Sequence, residues 1–249
     1  MNNYSDLNVQ CFREQRRKDV EEKSLEAISL NKKIKKRNLK INEMKKIRAQ
    51  NFIKEFKLKK KALIKELKIS RDMKKFFIPM KSNILFVIRI KGINGIPPRA
   101  RKILELLRLK RIHHGVFLRL NSSSLQILRK IEPYVAYGYP TPRTIRNLIA
   151  KRGYGKIGKR GKWQRIRLSD DKIIEQSLFQ VGIYSLNDLI NELVSDGPYF
   201  KEVNNFLWPF QLKSPKKGYS KQGKNKSVSE MGTYGNWNDS INQLINKMI

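Results

Sequence analysis

Cysteine is nearly missing from this chain: Cys11 is the only one in 249 residues. That excludes an intrachain disulfide and a cysteine-built metal centre, and it fits a reducing compartment. Histidine is almost as scarce, with His113 and His114 the only two. Neighbours on a strand or helix diverge, so this pair does not converge on one metal, and no metal site is expected. No apolar run approaches the roughly 20 residues of a membrane-spanning helix. The N-terminus is too polar for a signal peptide, so no membrane attachment is expected. Residues 1–78 lack both glycine and proline. Acidic residues are few, and the stretch from Pro133 to Ser169 has none.

What replaces them is positive charge. Lys and Arg number 55 against 21 Asp and Glu, a net charge of +34. A compact domain with that charge repels itself. A bound polyanion relieves the repulsion, and the release of its counterions favours binding in a salt-dependent way. The expected partner is therefore a nucleic acid, and no cofactor is expected.

The glycine- and proline-free start reads as helix from about Ser24 to Lys75, rich in Lys, Leu, Glu and Ile. Ile53, Phe56, Leu63 and Leu67 lie close to one face of it, with Lys57, Lys59, Lys60 and Lys61 between them. The apolar stripe is too interrupted for a sustained heptad, which favours a basic arm ordered along RNA. Residues 1–78 form this arm.

Regular alternation begins at Ile84. Ile84, Phe86, Ile88 and Ile90 point one way, and Leu85, Val87, Arg89 and Lys91 the other. This predicts a half-buried strand whose open face ends in two cations. After a turn at Gly92–Gly95, Pro98 suits the first turn of a helix. Ala100, Ile103, Leu104 and Leu107 form its apolar stripe, with Arg101, Lys102, Glu105 and Arg108 outside. A second strand is predicted at Val116–Leu120, then a short helix capped within Ser122–Ser124, then a third strand at Tyr134–Tyr139. The order β-α-β-α-β predicts an α+β core of a small three-stranded sheet and helices over residues 79–140. His113 and His114 fall in a turn or face the nucleic acid.

Residues 141–168 hold a helix, Thr144 to Ala150, and then the stretch KRGYGKIGKRGKWQRIR, Lys151 to Arg167. With four glycines and eight cations it predicts a flexible basic loop. Gly153 to Gly158 matches G-x-G-x-x-G on paper, but a dinucleotide site follows a strand and opens a helix, whereas here a helix precedes. The same segment lacks the Ser or Thr that a P-loop places after its lysine, because Arg160 stands there. Glycines that let backbone N–H groups approach phosphates, cations that neutralise them, and Tyr154 and Trp163 as stacking surfaces point to RNA.

Residues 169–210 predict a helical subdomain. Ser169 can cap one helix, with Asp170 and Asp171 at its positive end. Ser185 and Asp188 form a box-like cap on a second, whose stripe is Leu186, Leu189, Ile190, Leu193 and Val194. Phe206, Trp208 and Phe210 anchor the tail on the core. Residues 211–249 read as that basic tail, extended over Lys213–Lys226, with a terminal helix whose face is Ile241, Leu244, Ile245 and Met248.

Five segments, FVIRIKGING, LLRLKRIHHGVF, EPYVAYGYP, KRGYGKI and NNFLWPF, together resemble the universal ribosomal protein L-thirty family in its eukaryotic L-seven branch. The similarity runs from about Phe76 to Pro215, with the motifs in the family's order. The resemblance implies a three-stranded α+β core with a ferredoxin-like flavour, buried against large-subunit ribosomal RNA. It implies a structural, non-enzymatic constituent of the cytosolic 60S subunit that passes through the nucleolus during assembly. Neighbouring ribosomal proteins are its other partners, and it does not form a homo-oligomer. The segment SEMGTYG also resembles a nucleolar branch of the family, so the alternative is an assembly factor acting on pre-ribosomal RNA. An RNA-processing enzyme is the third reading, and the acid-free stretch Pro133–Ser169 counts against it. Lys159–Gln164 lengthens the family's usual loop. The expected RNA-binding residues are Arg89, Lys91, Arg99, Arg101, Lys102, Arg143, Lys151, Arg152, Tyr154, Lys156, Lys159, Arg160, Lys162 and Trp163.

Overall fold

The computed structural model describes residues 3–76, 83–159, 161–220 and 222–249, with side chains from residue 25 onward except that of Lys159. The chain divides after Lys61 into two compact units. Helix α1 runs from Asn3 to Asp72. It begins well before the expected Ser24, because nothing in residues 3–23 breaks a helix. Ile53, Phe56, Leu63 and Leu67 are all exposed. Among the described residues, no helix is long and apolar enough to cross a membrane.

The second unit is built on strand β1, Ile84–Arg89. It pairs antiparallel with β2, His114–Arg119, and with β3, Val135–Gly138. Between these strands lie α2, Pro98–Leu106, and α3, Ser122–Ile131. The expected β-α-β-α-β order is present, with Pro98 in the first turn of α2. Two short edge strands widen the sheet beyond the three expected. They are β6, Phe210–Gln211, and β7, Gly235–Asn238, giving the order β6-β2-β1-β3-β7.

β1 is buried on both faces rather than half-buried. On one side Leu85 and Val87 pack with Ala100, Leu104, Leu128 and Ile131 of α2 and α3. On the other, Ile84, Phe86 and Ile88 join a larger core that includes Phe117 and Phe210. The Phe86 and Phe117 rings are 5.0 Å apart, and Phe210 stands edge-on to Phe117 at 5.5 Å. Such tilted and edge contacts suit aromatic quadrupoles.

The larger core takes in all the later helices. Helix α4, Pro142–Arg152, contributes Ile145, Leu148 and Ile149. Helices α5, Asp171–Leu178, α6, Leu186–Ser195, and α7, Phe200–Phe206, contribute Ile174, Leu189 and Val203. The terminal helix α8, Ile241–Met248, buries all four residues of its expected face in the same core. Its Asn242 amide donates to the Tyr139 carbonyl and its Oδ1 accepts from Thr141 N–H, fastening α8 to the start of α4.

Two caps differ from the sequence reading. Asn121 and Asp170, rather than Ser122–Ser124 and Ser169, occupy the N-cap positions of α3 and α5, and neither makes a side-chain cap bond. Ser124 instead donates to the Arg119 carbonyl. The box on α6 is complete: Ser185 Oγ accepts from Asp188 N–H and Asp188 Oδ2 from Ser185 N–H.

Candidate nucleic-acid interface

The stretch after α4 is not a loop. It forms a two-stranded hairpin, β4 (Tyr154–Lys159) and β5 (Lys162–Arg167), in register from Tyr154–Arg167 to Lys159–Lys162. The glycines that suggest disorder have specific uses. Gly161 takes φ +93 in the turn, a conformation that costs glycine nothing. Gly155 lets the Phe206 ring approach, since a Cβ there would lie 2.7 Å from that ring. Ile157 packs on the core beside it. The fingerprint-like Gly153–Gly158 therefore caps a helix and enters a strand, and opens no helix.

Strand alternation sorts the hairpin's side chains. Tyr154, Lys156, Trp163, Arg165 and Arg167 share the face opposite Ile157. They pair diagonally across the strands, cation against ring. The Arg165 guanidinium carbon is 3.6 Å from the Tyr154 ring centre, and Lys156 Nζ is 4.0 Å from that of Trp163. Such pairs are worth roughly 0.5–2 kcal/mol, depending on desolvation. Arg165 also donates to Gln211 Oε1 at 2.7 Å. Trp163 stays 42% exposed.

This face borders a cavity of about 440 Å³. Across it stand Arg108, Lys110 and Arg111 from the α2–β2 connection, and Leu207, Trp208 and Pro209 from the connection into β6. His114 and Gln211, paired across β2 and β6, close it. Among the described residues no carboxylate lines it. Backbone bonds fix the geometry: Trp208 N–H donates to the Tyr154 carbonyl at 2.8 Å, and the Arg108 guanidinium donates to the carbonyls of Leu207 and Asn204. Burial lowers the Arg108 pKa from its usual value.

His114 is 8% exposed, and among the described residues its Nδ1 has no hydrogen-bond partner. Burial chiefly lowers its pKa, and Arg111, Arg165 and Arg89 add to that, against an opposing effect from the Arg108 backbone. The ring is therefore neutral near pH 7. Among the described residues no group of His, Cys, Asp and Glu can hold a metal ion.

The expected binding residues separate into groups. Tyr154, Lys156 and Trp163 come together on the hairpin. Lys162 is exposed on the hairpin's other face, while Arg160 and the Lys159 side chain lie outside the described residues. Arg99, Arg101 and Lys102 are exposed on α2, across the sheet from the hairpin. Arg143 and Lys151 are exposed on α4. Lys91 lies 5.7 and 5.9 Å from the Tyr134 and Tyr234 rings.

Two expected residues are spent internally. Arg89 is 4% exposed, and its guanidinium donates to the carbonyls of Lys91, Gly92, Leu109 and Lys110. It ties the β1 end to the α2–β2 connection and offers nothing to a partner. The expectation of an open face failed because α2 and α3 cover that side of β1. Arg152 is partly buried and donates to the Ile249 carbonyl. Conversely, Arg165, Arg111 and Trp208 were not expected at the interface, while His114 takes the nucleic-acid-facing side of its expected alternatives. The density of cations and rings in LLRLKRIHHG and NNFLWPF marks Arg111, His114 and Trp208, and the alternation KWQRIR marks Arg165.

The family model for ribosomal protein L30p/L7e matches residues 85–135. Along most of the chain, a large ribosomal subunit protein uL30 from Eremothecium gossypii is 45% identical over 195 residues, 78% of this chain and 79% of that protein. The chain belongs to the ribosomal protein L30p/L7e family. The uL30A protein of Paramecium tetraurelia is 42% identical over 201 residues, 81% of this chain and 79% of that protein. The uL30 protein of Candida glabrata is 44% identical over 195 residues, 78% of each. Membership in a family of ribosomal structural proteins makes the L30p/L7e chain a structural component and not an enzyme. The mixed sheet-and-helix architecture fits that family.

Proposed function

We propose that this L30p/L7e chain is a constituent of the cytosolic 60S subunit that binds and orders large-subunit ribosomal RNA. It assembles beside other ribosomal proteins, passes through the nucleolus on the way, and does not self-associate. The observation that carries the reading is the hairpin face, where Lys156 and Arg165 stand against Trp163 and Tyr154. Cations aligned on a rigid strand pair suit phosphates, which position a protein on RNA. The exposed Trp163 ring suits an unpaired base. The net charge of +34 supplies the long-range attraction. The exposed cations of α2 and α4 extend the contact to other RNA segments, and α1 serves as a basic arm along RNA.

A tagged chain followed through a sucrose gradient tests this. It should sediment with free 60S subunits, whole ribosomes and polysomes. Confinement to precursor particles would make it an assembly factor instead.

A further inference from the structure

The cavity beside the hairpin contains more than a phosphate grip requires. Duplex RNA offers phosphates and groove edges but keeps its base faces stacked inside. Lys110, Arg111, Lys156 and Arg165 suffice for that. The indoles of Trp163 and Trp208 and the ring of Pro209, on the walls of the same cavity, serve a flat, unstacked partner. The volume of about 440 Å³ falls within the roughly 300–1,000 Å³ of small-molecule clefts.

The polar groups agree. Gln211 carries both a donor and acceptors, and its Oε1 is oriented by Arg165. His114 offers a neutral imidazole at the floor. Its Nδ1 and the Arg165 Nε are buried without partners among the described residues. Buried polar atoms are nearly always paired, so two orphans at one cavity mark a site with hydrogen bonding still to be completed.

We propose that this cavity receives a single unstacked nucleotide of the bound RNA. Its base lies against Trp163, and its phosphates lie on Lys110 and Arg111. The inference rests on the RNA-binding reading and sharpens it: the RNA presents a bulged or looped-out base here, not a continuous helix.

Two RNA hairpins of the same sequence, one interrupted by a single bulged adenosine, separate the two claims. The full-length chain is titrated against each by fluorescence anisotropy at one salt concentration. Stacking of one base on an aromatic ring predicts a preference of roughly five- to 150-fold for the bulged RNA. W163A should bring the ratio near one, and W163F should restore most of it. Trp163 is well exposed, so neither change threatens the fold. Equal affinity for both RNAs, or a preference that W163A leaves intact, overturns the nucleotide pocket while RNA binding stands. Failure to bind either RNA overturns the RNA-binding reading, and the pocket with it.

Discussion

The Arg165 guanidinium lies 3.6 Å from the Tyr154 ring centre and at the same time donates to Gln211 Oε1 at 2.7 Å. One side chain thus couples β4, β5 and β6, and fixes a positive charge where a mobile one would serve binding poorly. Held in place by a ring and an amide, it loses less conformational freedom on meeting a phosphate.

Removing that charge and its neighbour should be visible in the salt dependence of RNA binding. The double variant K156A/R165A should weaken association and lessen the slope of log affinity against log salt by about 1.4 to 1.8. R165K should keep the slope and still lose affinity, because an ammonium cannot reproduce the planar stack. Filter binding from 50 to 300 mM salt distinguishes these results. An unaltered slope in the double variant would exclude this face as a phosphate contact.

Arg89 should behave in the opposite way. R89A strands the carbonyls of Leu109, Lys110, Lys91 and Gly92. Lost charged hydrogen bonds and unsatisfied groups predict a destabilisation of about 3–5 kcal/mol. R99A, on an exposed position of α2, should shift stability by less than about 0.5 kcal/mol. Urea denaturation of both variants is the measurement, and equal midpoints would remove Arg89 from its structural role.

Stability should depend on pH through the two histidines. Burial lowers both pKa values, with Lys224 adding to the effect at His113 and mainly Arg111 at His114. The unfolded chain therefore binds protons that the folded chain refuses. Stability is full above about pH 6.5 and falls as pH drops below it, by at most about 1.4 kcal/mol per pH unit for each residue. Denaturation midpoints at pH 5, 6, 7 and 8 should rise to about 7 and then level. A flat or falling series between 5 and 7 would contradict the assignment.

The reciprocal cap of α6 is a fourth case. S185A and D188A should each cost roughly 1 kcal/mol, and the double variant less than their sum, since both act on the same helix end. Thermal melts of the three proteins test it. Strict additivity would mean that the two bonds act independently.

Much of this architecture is legible in the sequence where periodicity extends over several residues. The alternation at Ile84–Ile90, the α2 and α6 stripes and the four-residue face of α8 all reappear as buried or partly buried surfaces packed on the two cores. The hairpin is hidden because its glycines read as flexibility, while Gly155 makes room for Phe206 across a distance that sequence does not show. β6 has two residues and β7 four, too short for any period to register. The same length problem conceals Trp208, which reaches the cavity just before β6 pairs with β2. Arg89 misleads for a different reason. Alternation tells which face a side chain takes but not whether a helix later covers it.

Burial of the α8 face has a consequence for synthesis. β3 and β7 pair in parallel although about 100 residues separate them, and α8 fills the same core immediately afterwards. At about 5–20 residues per second, the inner face of β1 waits roughly 8–32 s for the about 160 residues between it and the end of α8. During that interval Ile84, Phe86 and Ile88 are an uncovered apolar face on a strongly basic nascent chain. Until α8 closes over it, such a transiently uncovered apolar surface is the part of the nascent chain most prone to aggregate.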